Sequence, residues 1–156
     1  MVDDTTEQLT PEQLTPRVID SLYTEAMLLA DEARSYFEDS ARAARSSLDP
    51  LTRVGFSCES LKVTTRLMHV VAWLLTQRAA AAGEIAAAPR RSSARRLGRA
   101  ADSDEVLVAR FPQGAQDLIA SSRDLYSRVK RLQDGAVLDP PPSPARALIS
   151  RLERSL

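Results

Sequence analysis

The sequence predicts an all-α protein: an antiparallel three-helix bundle with a long mobile loop between helices 2 and 3 and flexible termini. Three observations carry this. Residues 59–78, ESLKVTTRLMHVVAWLLTQR, hold two adjacent apolar stripes at helical spacing, Leu61, Met68, Val71 and Leu75 on one and Val63, Leu67, Val70 and Leu74 on the other. Further on, Leu118, Ser122, Leu125, Val129 and Leu132 follow alternating four- and three-residue steps, the spacing of a coiled-coil-like seam. Nowhere do apolar and polar residues alternate for long enough to build a sheet. A surface helix shows one stripe, whereas a helix apolar most of the way round is buried on several sides. The 59–78 segment is therefore expected to be central, with more neighbours than a short chain supplies. That predicts self-association and a function exercised by contact.

The elements follow in order. Residues 1–14 are polar and acidic without a period and read as a disordered arm. Thr15-Pro16 reads as an N-cap followed by a first-turn proline. The helix it starts is expected to reach about Asp39, with Val18, Leu22, Ala26, Leu29, Ala33 and Phe37 as its apolar face. The stretch ARAARSS continues it or frays. Asp49-Pro50 breaks the chain, because the residue before proline disfavours the α region. A second helix spans about 51–82, with Gly83 as its stop. Residues 84–109, with Pro89, Ser92, Ser93, Gly98 and a run of arginines, read as a mobile loop; loops this long are usually functional or disordered. Within it Val106, Leu107 and Val108 could pack back on the bundle. The third helix runs from near Pro112 to near Gln133, before Gly135, so the bundle domain covers 15–134. A Pro-rich linker, 135–142, is stiff. Residues 143–156 form a short amphipathic tail, capped by Ser143-Pro144 and carrying Leu148, Ile149 and Leu152 on one side.

Composition narrows the function classes. A length of 156 residues fits one domain. The 21 basic and 21 acidic side chains cancel, whereas a dedicated nucleic-acid binder is normally basic overall. Lys62 and Lys130 are the only lysines; arginine and alanine richness points to a GC-rich bacterial genome. The single cysteine, Cys58, excludes an intramolecular disulfide and fits a reducing cytosol. The start, MVDDTTEQLTPEQ, lacks the basic and apolar regions of a secretory signal. The apolar run 67–75 is interrupted by His69 and falls far short of the roughly 20 residues a membrane span needs. A soluble, cytoplasmic protein is expected.

The sequence offers little catalytic chemistry. His69, the only histidine, sits in the most apolar segment with no local nucleophile or orienting acid, so a buried or interface histidine is the favoured reading over a catalytic one. Cys58 and His69 are eleven residues apart, roughly 16 Å along a helix, too far to share a metal ion. Cys58 reads as a small packed hydrophobe. There is no HExxH, no Glu-x-x-His and no glycine-rich phosphate loop. No catalytic residue, cofactor or metal site is predicted.

Two features remain for partners. Arg90, Arg91, Arg95, Arg96 and Arg99 crowd ten positions. A solvated loop is the favoured reading, then an acidic protein partner, then nucleic acid, since no aromatics interleave for base stacking. The tail stripe of Leu148, Ile149 and Leu152 is too short to hold a helix alone in water, so it docks on its own bundle or in a partner's groove. For a homodimer, the interface candidates are Leu67, Val70, Trp73 and Leu74. Trp73, lying between the two stripes, is a natural anchor, with intramolecular core as the equal alternative.

TTRLMHVVAWLLTQRA followed by Gly83-Glu84-Ile85, and a second block of Pro112, Gln116-Asp117-Leu118-Ile119, Ser121-Ser122, Leu125, Ser127-Arg128-Val129 and Arg131-Leu132, resemble the alphaproteobacterial family of regulators of CtrA degradation. The two blocks cover roughly a third of the chain, in the right order. The resemblance implies a dimeric, non-enzymatic three-helix adaptor in regulated proteolysis. In that picture it helps deliver the cell-cycle regulator CtrA to the protease ClpXP, with CpdR-like and PopA-like proteins in the complex and polar placement within the cell. The rival reading is a helical DNA- or transcription-associated regulator using the arginine-rich loop.

Overall fold

The computed structural model describes residues 11–84 and 96–137. Three long helices form the bundle: α1 (Pro11–Ser35), α3 (Pro50–Ala81) and α5 (Gln113–Val137). Two short ones, α2 (Ala41–Ser46) and α4 (Glu105–Val108), sit near one end. The all-α expectation stands.

The helix α1 opens at Pro11, the earlier of two Thr-Pro steps, and runs through Pro16. The expected cap at Thr15 is therefore inside the helix, and residues 11–14 are helical rather than part of an arm; residues 1–10 lie outside the described residues. Its buried face is Ile19, Leu22, Ala26 and Ala33, with Leu29 partly covered. Val18, expected on that face, is exposed, because the i, i+3, i+7 stripe is anchored one residue later. A π turn, Tyr36–Ser40, then inserts an extra residue. Such a turn rotates the following face without ending the helix, so ARAARS continues as α2 and buries Ala41.

The helix α3 starts at the expected Asp49-Pro50 break, and Asp49 is its cap. Asp49 accepts a hydrogen bond from the Thr52 backbone N–H at 3.1 Å, and Pro50 takes the first helical position. Hydrogen bonding from the Thr52 side chain and from its backbone N–H holds the Asp49 carboxyl below its ordinary range. At the other end Gly83 has φ +72, a conformation that costs glycine little. The Glu84 N–H reaches the Ala79 carbonyl and the Gly83 N–H the Ala80 carbonyl, the paired bonds of a Schellman stop.

In α5 the expected seam is buried: Leu118, Ser122, Leu125 and Val129, joined by Ala115 and Ile119. The helix does not stop before Gly135 but continues to Val137, since one exposed helical glycine costs only about 1 kcal/mol.

Pairings fix the directions. Along α1 and α3, Asp20 pairs with Arg78 and Phe37 meets Phe56, so these helices are antiparallel. Arg128 grips Glu25 in a two-bonded pair, and Tyr36 lies against Gly114, so α1 and α5 are antiparallel too. It follows that α3 and α5 run parallel, with Phe56 on Phe111 and Arg66 on Ser122. A parallel pair needs a long return crossover, and residues 96–104 supply it. At the crossover's far end, Tyr36, Phe37, Phe56 and Phe111 form an edge-to-face chain with centroids 5.2–5.6 Å apart, each contact contributing about 1 kcal/mol.

Candidate functional site

The helix α3 carries three longitudinal seams, each with a different neighbour. The first is core. Phe56, Val63, Leu67, Val70, Trp73 and Leu74 are at most 7% exposed in the single chain. Leu67, Val70, Trp73 and Leu74, expected at a dimer interface, therefore pack among residues of the chain's own α1 and α5. Covered in this way, they are not available as surface. Of the two expected readings for Trp73, the structure has the core one.

The second seam is polar. Glu59, Lys62, Arg66 and His69, at three- and four-residue steps, clasp the strap formed by residues 96–104. Glu59 Oε1 accepts from Lys62 Nζ at 2.7 Å and from the Asp104 backbone N–H at 3.1 Å. Lys62 Nζ also donates to the Asp102 carbonyl at 2.9 Å. Arg66 donates to the Ala101 carbonyl, to Ser103 Oγ and to Ser122 Oγ on α5. Gly98 lies against the His69 ring, where a Cβ would come within 2.7 Å of it. From α5, Tyr126 donates to the Gly98 carbonyl at 2.7 Å, and the side-chain oxygen of Gln133 accepts from the Leu97 backbone N–H. Leu97 is buried in the core. Asp104 then caps α4 by accepting from the Val106 and Leu107 N–H groups.

The loop expected to be mobile over 84–109 is thus pinned from residue 96 onward; residues 85–95 lie outside the described residues. The reason is chemical. A polar stretch without periodicity gives no sequence signal for docking, yet five of its backbone groups are bound by side chains of α3 and α5. Burial disfavours the charge on Glu59, but bonds from Lys62, Ser103 and the Asp104 N–H outweigh it and hold the carboxyl below its ordinary range. Burial likewise lowers the Arg66 guanidinium, opposed by the Glu59 charge. Glu59 Oε2 and His69 Nδ1 are buried with no hydrogen-bond partner. His69 is half-buried against the strap, in keeping with the structural reading of this residue.

The third seam is exposed. Leu51, Val54, Cys58, Leu61, Thr65, Met68, Ala72 and Leu75 follow strict three- and four-residue steps, and all are exposed. Leu51 is 79% exposed, Val54 62%, Leu61 67% and Met68 65%. Between Arg53 and Arg78 every exposed residue of α3 is uncharged. The nearest cation, Lys62, is turned to Glu59 and the strap. The result is a charge-free strip about 32 Å long. Cys58, expected to be packed, lies on it. The double stripe was legible in the sequence; which stripe faced inward was not, because periodicity defines faces but not their neighbours.

The remaining candidates fall apart from this strip. Arg96 and Arg99 are exposed on the strap. Arg90, Arg91 and Arg95, and the tail residues Leu148, Ile149 and Leu152, lie outside the described residues. Among the described residues, no group of three or more His, Cys, Asp or Glu gathers to hold a metal ion, and no helix is long and apolar enough to cross a membrane.

Comparison with known proteins gives two findings. The model of a family described as "Protein of unknown function (DUF1465)" matches residues 10–156. The crystal structure of RcdA from Caulobacter crescentus CB15 matches with 31% sequence identity and a TM-score of 0.65, covering 81% of this chain and 97% of that one. No curated protein matches.

Proposed function

This chain belongs to the DUF1465 family, an RcdA-like family, and we propose that it is a non-enzymatic adaptor in regulated proteolysis. In this reading it self-associates through α3 and presents a client, CtrA or a counterpart, to a ClpXP-type protease. CpdR-like and PopA-like proteins are the expected co-components, and the cytoplasm the expected compartment.

The observation that carries the proposal is the charge-free strip. A contiguous apolar face of this kind on a soluble chain marks an interaction surface. Its 3-4 periodicity is that of a helix seam packing on another helix. A second copy of α3, which carries the same strip, would cover it about a two-fold axis. Leu51, Val54, Leu61, Met68 and Leu75 then replace Leu67, Val70, Trp73 and Leu74 as the dimer contacts. Arg96 and Arg99, exposed beside the strap, are candidates for an acidic partner surface.

A reconstituted delivery assay tests the role. Client turnover by the protease, with CpdR-like and PopA-like factors present, should rise several-fold on adding this protein. A protein that leaves turnover unchanged, yet binds duplex DNA with the steep salt dependence of counterion release, would be a nucleic-acid regulator instead.

A further inference from the structure

Two outer grooves between the long helices differ in what fills them. The groove between α3 and α5 is filled by the strap 96–104, held from both helices. The groove between α1 and α5 is open. It has a volume of about 560 Å³ and is lined by Ser21, Thr24, Glu25, Leu28, Leu29 and Glu32 of α1 with Ser121 of α5. Leu28 is 68% exposed at its centre. The two charged residues of the lining, Glu25 and Glu32, are both acidic. Arg128 meets Glu25 and Asp124, while Arg34 turns to Asp31 and Glu38 and leaves Glu32 to the groove.

We propose that residues 143–156 fold back as a short helix into this α1/α5 groove, antiparallel to α5. Three matches support that occupant. The first is stripe length. On α1 the groove follows Ser21, Thr24 or Glu25, Leu28 and Glu32, an i, i+3/4, i+7, i+11 row. The tail carries Ala145, Leu148, Ile149, Leu152 and Leu156 on the same row. The second is charge. Arg146, Arg151 and Arg154 against one acid, Glu153, make the tail basic opposite an acidic groove.

The third match is reach and direction. Because α5 runs antiparallel to α1, its end at Val137 lies beyond the Arg128–Glu25 pair, toward the start of α1. The connection 138–142 has the length of an ordinary bundle loop. It can extend well past the roughly 10 Å between adjacent helix axes. A chain reversing there runs down the groove from Ser21 toward Glu32. A short amphipathic helix unstable alone is stabilised by such docking. The inference does not depend on the adaptor reading.

Hydrogen–deuterium exchange on the full chain tests this. Amides 145–156 should be protected, and the protection should not change with protein concentration. Leu28→Asp, on an exposed position that leaves the core intact, should speed their exchange roughly tenfold or more. Leu148→Asp, in the tail itself, should do the same. Tail amides exchanging at the unstructured rate in the unaltered protein would overturn the proposal. So would protection that survives Leu28→Asp, which places the tail elsewhere, or protection that rises with concentration, which makes a second copy's tail the occupant.

Discussion

Glu59 on α3 accepts the backbone N–H of Asp104 at 3.1 Å, although 45 residues separate them in the chain. This bond joins the central helix to the last residue of the strap. The strap in turn returns the chain to the end of the bundle where α5 must begin. One oxygen of this buried carboxylate, Oε1, is bound by Lys62 and by backbone rather than by solvent, so its charge is tied to the path of the crossover.

That coupling predicts a pH dependence. The folded Glu59 carboxyl is held below its ordinary value of 4.5, so its contribution is full above that value and is lost as pH falls through the lower folded value. Glu59→Gln should therefore lower stability by about 2 kcal/mol at neutral pH. The gap from the unaltered protein should narrow progressively below the ordinary glutamate range. Urea melts of both proteins across acid pH would show it; a gap that widens on acidification would contradict the sign.

Gly98 should tolerate no side chain. A Cβ there would meet the His69 ring at 2.7 Å, and overpacking of this kind costs about 1–3 kcal/mol. Gly98→Ala should loosen the strap locally. Trypsin cleavage after Arg96 and Arg99 should quicken before the helices are cut. Equal cleavage rates in the two proteins would mean that the strap is not held by this contact.

The two apolar stripes of α3 should respond oppositely to the same change. Leu74 is fully buried, and an unpaired carboxylate there costs several kcal/mol, a large fraction of a domain's 5–15 kcal/mol. Leu74→Asp should lose most of the helical circular dichroism. Leu61, 67% exposed, should accept Asp with a change within about 0.5 kcal/mol in the monomer.

Much of this fold was legible because local chemistry and tertiary packing agree. Asp49-Pro50 marks the start of α3 by the pre-proline restriction and Gly83 its end by glycine's stop, and the Leu118–Ser122–Leu125–Val129 row needs only the helical period. The sequence is silent where the deciding contacts are remote. Nothing in GRAADSD announces that Ala101, Asp102 and Asp104 will be bound by Arg66, Lys62 and Glu59, because the match is between single backbone groups and side chains some forty residues away. Arg66 and Glu59 carry no local sign of burial, and both are buried. The candidate surface was half legible: Leu61, Met68 and Leu75 stand in one of the two stripes, but their exposure depends on which stripe α1 and α5 cover.

The self-association claim rests on the outward strip of α3, and light scattering on two proteins tests it. At tens of micromolar the unaltered protein should have twice the chain mass, while Leu61→Asp should be a folded monomer with unchanged helicity. An unaltered protein that is monomeric under those conditions, or a Leu61→Asp protein that remains dimeric, would contradict the assignment of this strip as the interface.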